Sequence, residues 1–138
     1  MTRDYIRYRK GYKYQLAEDY SVQVGILPLN DIATDWLRLT SRGWLYVKKG
    51  YAWDGPSGPT WDTNSAMRGS LVHDALYQLM RLGLLDECHR GQADAMLRDI
   101  CIDDGMYRWR ADVWKEAVNL FAESAARAGS EPEILTAP

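Results

Sequence analysis

The stretch at residues 54–59 reads Asp54-Gly55-Pro56-Ser57-Gly58-Pro59. It decides the fold, because glycine and proline at this density interrupt both helices and strands. Before it, apolar and polar residues alternate with the period of two that is typical of strands, and after it apolar residues recur with the period of a helix. This order predicts an α+β fold, in which a small N-terminal antiparallel sheet packs on three C-terminal helices.

The predicted elements have recognisable boundaries. The strands are expected at residues 8–16, 20–24, 36–40 and 44–48. Gly43 supplies the positive φ that the hairpin between the last two strands requires. The helices are expected to run from residue 63 or 64 to about 82, from 86 to about 103, and from about 109 to about 128. We therefore expect a single α+β domain over residues 1–129 and an extended C-terminal tail over residues 130–138.

Length and composition narrow the function classes. The chain has 138 residues and a mass of 15.8 kDa, which suits one domain. Hydrophobic residues make up 46% of it, enough to bury a core. The formal net charge of −2 gives no overall basic field, so nucleic acid is not an expected partner. The charged, tyrosine-rich N-terminus predicts no signal peptide, and no run is apolar enough to predict a membrane span.

Basic and aromatic residues interleave near the N-terminus. Such interleaving occurs in proteins that bind single-stranded nucleic acid or anionic surfaces. It also occurs in edge strands, where charged side chains deter pairing with other chains. We favour the edge strand. The residues concerned are Arg3, Tyr5, Arg7, Tyr8, Arg9, Lys10, Tyr12, Lys13 and Tyr14.

The first predicted helix carries the main candidate site. His73 and Tyr77 stand four residues apart and share one helix face. A short turn near residues 84–85 should return the next helix antiparallel to the first, which places Asp94 within about one helical turn of the height of His73. Asp94 can then accept a hydrogen bond from His73 and fix its tautomer, as a carboxylate does beside a catalytic base. Tyr77 can hydrogen-bond the same carboxylate.

Two simpler interpretations compete with a catalytic site. Arg90, four residues before Asp94 on the same face, could form a surface ion pair, which contributes only about 0.3–0.5 kcal/mol. His73 alone could be a core histidine with satisfied hydrogen bonds. The grouping of these residues with Asp74 and Tyr77 favours function, because buried polar groups are costly unless they pair or bind a ligand. His73, Asp94, Tyr77 and Arg90 are therefore the candidate catalytic residues.

Around these residues the chain resembles the domain of unknown function 1353 family, found largely in tailed phages and prophages. That family reads Thr-Asp-x-Ala-Ser-x-Pro, then His-Asp-x-Leu-Tyr, then Arg-x-x-Ala-Asp. Trp53 and Pro56 depart from this pattern. The resemblance implies a phage origin, a location in the host cytoplasm or the virion, and other phage proteins or further copies of the chain as partners. The matching residues are Asp54, Ser57, Pro59, His73, Asp74, Leu76, Tyr77, Arg90, Ala93 and Asp94.

A second, local resemblance is to the site of phospholipases A2. It rests on the helix with His73, Asp74 and Tyr77, on the glycine-rich loop before that helix, and on Asp94. It implies that His73 activates water, that Asp74 binds Ca²⁺ together with loop carbonyls, and that Asp94 and Tyr77 orient His73. Asp54, beside the loop, is the other candidate metal ligand. The disulfide framework of that family is absent from this sequence.

Two functions of different classes stay open. The first is a phage-encoded hydrolase that uses His73 and Asp94 to activate water for attack on an ester or amide, assisted by a divalent ion at Asp74 and Asp54. The second is a non-enzymatic virion, tail or assembly component, in which the same polar cluster braces two helices. His89, the other of the 2 histidines, is expected to be exposed at the start of a helix.

Overall fold

The computed structural model describes residues 6–8, 14–55, 64–121 and 135–137. The described residues form strands, mostly in the N-terminal half, and helices in the C-terminal half, which confirms the predicted α+β class. In chain order the elements are β1 (Ile6–Tyr8), β2 (Tyr14–Gln15), β3 (Tyr20–Gln23), β4 (Ile32–Ala33), β5 (Leu37–Leu39), β6 (Trp44–Val47), β7 (Ala52–Trp53), α1 (Asn64–Arg81), a 3₁₀ helix (Glu87–His89), α2 (Arg90–Asp103), α3 (Arg108–Phe121) and β8 (Leu135–Ala137).

All strand pairs in the described residues are antiparallel, as predicted. The main sheet has four strands in the order β3-β6-β5-β4, and β2 pairs with β7. The strand predicted at residues 8–16 corresponds to the end of β1 and to β2, and residues 9–13 between them lie outside the described part. β1 pairs with β8, so the described residues of the predicted tail are extended.

Alternating side chains give the main sheet a buried face and an exposed face. The hairpin of β5 and β6 forms as predicted, with Gly43 at a φ of +88°. Every second residue of the hairpin points into the core, as expected for a sheet with one covered face. α1 supplies the other side of this core. The buried residues that meet here include Leu37, Leu39, Leu45, Val47, Val72, Leu76 and Leu79.

The helix boundaries follow the local sequence signals. α1 ends at Arg81, and Gly83 follows with a φ of +74°. Asp86 does act as a cap, but it caps a 3₁₀ helix that precedes α2, because its carboxylate accepts from the backbone N–H of Cys88 at 2.8 Å. α3 is described to Phe121, so the predicted continuation to residue 128 lies outside the described residues. None of the described helices combines the length and the apolar content needed to cross a bilayer.

One arginine ties the sheet to the helices. Arg68 of α1 donates to both carboxylate oxygens of Asp104, which follows α2, at 3.0 and 2.9 Å. The same guanidinium donates to the hydroxyl of Tyr20 in β3 at 3.1 Å. The planar fork of arginine suits this arrangement, because it holds several acceptors in a fixed geometry. The orientation of α1 is thereby linked to one edge of the sheet and to the end of α2.

Close packing of α1 against α2 depends on Gly69. A Cβ atom at this position would lie 2.7 Å from Sγ of Cys101 and 3.1 Å from the backbone oxygen of Leu97. The first contact is shorter than real Cβ contacts, and the second is tight against a backbone oxygen that cannot swing aside. We therefore expect Gly69→Ala to lower the free energy of unfolding by about 1–3 kcal/mol, measured by urea denaturation.

Gly91 offers a matched control for this substitution. It lies in the first turn of α2, and a Cβ atom there would have nothing within 4 Å. Gly91→Ala is expected to leave stability unchanged or to raise it by up to about 1 kcal/mol, because alanine favours a helix over glycine. Equal urea midpoints for Gly69→Ala and wild type would contradict the proposed close approach of the two helices.

Candidate active site

Three of the predicted site residues meet at the contact between α1 and α2. Nε2 of His73 lies 2.8 Å from Oδ1 of Asp94. The hydroxyl of Tyr77 donates to the same oxygen at 2.6 Å. The two aromatic rings also pack together, with their centroids 4.1 Å apart. The helical spacing and the short turn therefore bring His73, Tyr77 and Asp94 into one hydrogen-bonded group.

The local sequence explains why the two helices approach closely enough for this group. Gly69 lies one turn before His73 on the same face of α1, and its missing side chain leaves room for α2. Ala93, next to Asp94, is a small residue with no exposed surface. A turn that buries Leu85 brings α2 back along α1. The carboxylate of Asp94 thus reaches an interior in which it has no contact with solvent.

The hydrogen bonds assign the protonated nitrogen of His73. A carboxylate oxygen only accepts, so Nε2–H of His73 donates to Asp94, and Nδ1 carries the lone pair of the neutral ring. Nδ1 faces Oδ1 of Asp74 at 3.8 Å. The side chain of Asp74 is 35% exposed, whereas that of His73 is 9% exposed. The basic nitrogen therefore lies on the side of the imidazole that leads towards solvent.

The pKa of His73 lies above its ordinary value of 6.5. Burial lowers this pKa, because it disfavours the charged ring, but the carboxylates of Asp74 and Asp94 stabilise the imidazolium and outweigh that effect. The ring is consequently a stronger base than a solvent-exposed histidine. A stronger base takes up a proton from water more readily, as general-base catalysis requires.

Tyr77 stays protonated and acts as a hydrogen-bond donor. Burial and the hydrogen bond to Asp94 raise the pKa of its hydroxyl well above the ordinary value. Arg90, the first residue of α2, is half-buried. Its positive charge favours the ionised hydroxyl and so opposes this rise in the pKa of Tyr77. Arg90, the fourth candidate residue, therefore lies near this group. It begins α2, one helical turn before Asp94.

Asp94 is the most buried member of the group. Its Oδ1 accepts both hydrogen bonds described above, from His73 and from Tyr77. Its Oδ2 is buried as well and has no hydrogen-bond partner among the described residues. An undersatisfied buried carboxylate is costly by itself. The cost falls when a positive charge forms beside it, so Asp94 favours proton uptake by His73.

Strand β7 lies along the face of α1 that carries Asp74. The indole N–H of Trp53 donates to Oγ of Ser70 at 3.2 Å, and the hydroxyl of Tyr51 donates to Oε1 of Gln78 at 2.7 Å. Ser70 and Gln78 stand one turn before and one turn after Asp74, so the two hydrogen bonds flank it. These two hydrogen bonds were not predicted from the sequence, because each joins residues far apart in the chain.

The structure describes only part of the predicted calcium site. Asp74 is half-buried beside His73, and Asp54 follows directly after Trp53, whose side chain contacts α1. The loop carbonyls expected to complete the site are those near Gly55, the last described residue before the loop, and Gly58, which lies outside the described part. Within the described ranges no group of three or more His, Cys, Asp or Glu side chains is arranged to hold a metal ion. Calcium binding at Asp74 and Asp54 stays a prediction.

The remaining candidates lie apart from this group or beyond the described residues. Nδ1 of His89 is 2.6 Å from Oε1 of Gln92, so this histidine is engaged at the start of α2. His89 is half-buried, not fully exposed as expected. Ser57 falls outside the described residues, as does most of the basic and aromatic N-terminal stretch. The chain matches no protein-family model, no curated protein and no solved structure with which it was compared.

Proposed function

We propose that this protein is a small hydrolase in which His73 activates water for attack on an ester or amide. The observation that carries the proposal is the arrangement of His73 between two carboxylates. Asp94 accepts from Nε2 at 2.8 Å, while Nδ1 faces the partly exposed Asp74 at 3.8 Å. A histidine whose inner nitrogen is fixed by a buried carboxylate presents its outer nitrogen as a general base.

The proposed reaction uses one proton-transfer cycle. Nδ1 of His73 removes a proton from water as the water oxygen forms a bond to the carbonyl carbon of the substrate. Asp94 stabilises the resulting imidazolium through the hydrogen bond from Nε2. When the carbonyl re-forms, the bond to the leaving group breaks, and His73 returns the proton to the departing oxygen or nitrogen. Tyr77 keeps the Asp94 carboxylate in place throughout.

The proposal also includes a phage origin for the protein and a requirement for a divalent metal ion. The residues matching the domain of unknown function 1353 family support a phage-encoded protein. A divalent ion held at Asp74 would polarise the substrate carbonyl, as the local likeness to phospholipases A2 implies. Because such an ion would sit close to Nδ1 of His73, the presence or absence of Ca²⁺ is expected to alter the reaction.

Turnover of defined substrates tests the hydrolase proposal. The purified protein is incubated with short-chain aryl esters and with phosphatidylcholine vesicles, each with added Ca²⁺ and with a chelator. We expect release of the phenol or the fatty acid above the rate of buffer, with a difference between the two metal conditions. Rates equal to buffer for every substrate in both conditions would contradict the proposal.

The same contacts also support a second candidate function. His73, Tyr77 and Asp94 join α1 to α2 in the interior, and His73 is only 7% exposed. In a virion, tail or assembly component this group would hold the two helices in register and take part in no reaction. Mass spectrometry of purified phage particles separates the two functions, because a particle component is expected in stoichiometric amounts and a free hydrolase is not.

A further inference from the structure

The outer face of the main sheet exposes three large aromatic side chains. Trp36, which precedes β5, is 47% exposed, while Trp44 and Tyr46 on β6 are 42% and 44% exposed. Trp44 and Tyr46 are two residues apart in one strand, so they point to the same side. Leu45 and Val47, between and beyond them, point into the core. We name the set Trp36, Trp44 and Tyr46 the aromatic face.

A pocket with a volume of about 370 Å³ opens on this face. Trp36 and Tyr46 line it together with the polar side chains Asp19, Arg38 and Lys48. The guanidinium carbon of Arg38 lies 5.9 Å from the centre of the Tyr46 ring. Arg38 and Tyr46 are also paired directly across β5 and β6. Large rings and hydrogen-bonding groups therefore converge on one concave surface, as in small-molecule sites.

The backbone beneath the aromatic face holds Trp36 in place. A Cβ atom at Gly50 would lie 3.0 Å from the Trp36 ring, so the ring packs against the glycine backbone on one side. Gly50 has a φ of +96°, which side-chain-bearing residues rarely adopt. Trp36 also lines the pocket. A ring held against the backbone offers a flat stacking surface at little entropic cost.

The charges around the pocket are balanced. Arg38 forms an ion pair with Asp31, with a nitrogen–oxygen distance of 3.7 Å. Asp19 accepts from the backbone N–H of Lys49 at 2.8 Å and stands on the same rim as Lys48. The lining itself holds Arg38, Lys48 and Asp19, and Asp31 outside it pairs with Arg38, so each basic side chain has an acidic neighbour and no surplus of positive charge is left. A polyanion such as single-stranded nucleic acid depends on such a surplus, so the ligand expected here is uncharged.

We propose that the aromatic face binds a neutral oligosaccharide. The flat side of a sugar ring presents C–H groups that stack on indole and phenol rings, and its rim presents hydroxyls that both donate and accept. Arg38 and Lys48 supply donors for these hydroxyls, and Asp19 supplies an acceptor. A proline-rich peptide, the other common occupant of aromatic grooves, offers mainly carbonyl acceptors and few donors for Asp19. This site lies across the sheet from α1, so the proposal is independent of the hydrolase site.

Titration of the whole protein with maltohexaose, cellohexaose and chitohexaose tests this site, with tryptophan fluorescence and calorimetry as readouts. We expect saturable binding of at least one of them at millimolar or lower concentration. Trp36→Ala is expected to weaken that binding by about tenfold or more. Arg38→Ala keeps all three rings and is expected to weaken it as well, through a lost donor. Trp109→Ala is the matched control, because Trp109 is 68% exposed on α3.

Three results would overturn the proposal. The first is no saturable binding of any of the three oligosaccharides at millimolar concentration. The second is binding that Trp109→Ala weakens as much as Trp36→Ala does, with both variants folded by circular dichroism. The third is tighter binding of oligothymidylate or of a polyproline peptide than of every oligosaccharide, since either would identify a different class of ligand.

Discussion

Replacing His73 with glutamine is expected to abolish most of the hydrolytic activity. The glutamine side chain would keep a hydrogen-bonding group near Asp94 but has no nitrogen that can accept a proton at neutral pH. Positioned general bases contribute about 10²–10⁴-fold to a rate, so His73→Gln is expected to lower kcat by that factor. Initial rates on the substrate that wild type hydrolyses fastest provide the measurement, with urea denaturation to show that the variant is folded.

His89→Gln is the matched control for this experiment. This substitution makes the same change at the other histidine. The side chain of His89 is hydrogen-bonded to Gln92 and not to any residue of the candidate site. We expect His89→Gln to retain the wild-type rate within about twofold, as for surface changes away from a site. Equal kcat for wild type and a folded His73→Gln variant would rule out catalysis by His73 and favour the structural role.

Replacing Asp94 with asparagine is expected to produce the second largest effect. Asparagine is nearly the same shape, but its neutral amide neither stabilises an imidazolium nor imposes the Nε2–H tautomer on His73. The corresponding change in other carboxylate–histidine pairs lowers rates by up to about 10⁴-fold, and we expect at least about 10²-fold here. The pKa of His73 should also fall, because one of the two carboxylates that raise it is removed.

Two readouts distinguish positioning from general stability in Asp94→Asn. The pKa of His73, followed by nuclear magnetic resonance, should move to lower pH, and urea denaturation should show that the variant keeps its stability, because a loosened fold would also bring this pKa back towards 6.5. Asp99→Asn serves as control, because this α2 carboxylate is 59% exposed and pairs with Arg98 at the surface. If Asp94→Asn leaves both the rate and the pKa of His73 unchanged, the hydrogen bond between them has no role in catalysis.

The contact between His73 and Asp94 could be predicted from local rules. Helical periodicity placed His73 and Tyr77 on one face, and the glycine at residue 83 predicted where α1 ends. Because the turn between α1 and α2 is short, the two helices run antiparallel, and the number of residues from the turn determines which residues of α2 lie opposite His73. The hairpin of β5 and β6 was predictable for a similar reason, since Gly43 and two alternating runs lie within a few residues of one another.

The surroundings of Asp74 could not be predicted in the same way. They depend on how β7 crosses α1, and the hydrogen bonds from Tyr51 to Gln78 and from Trp53 to Ser70 span 27 and 17 residues. No period or cap in the sequence specifies such a crossing. The pairing of β1 with β8 joins opposite ends of the described chain and has no local signal either. The exposure of Trp36 likewise follows from the support of Gly50 in the folded sheet.

The pH dependence of kcat/KM, overlaid on the titration of His73 by nuclear magnetic resonance, tests the central claim most directly. The base must be neutral to accept a proton, and its pKa lies above 6.5 because Asp74 and Asp94 stabilise the charged form. The rate should therefore be low in acid, rise as the pH increases through the measured pKa of His73, and level off above it. A rate that stays constant while His73 loses its proton would contradict the account.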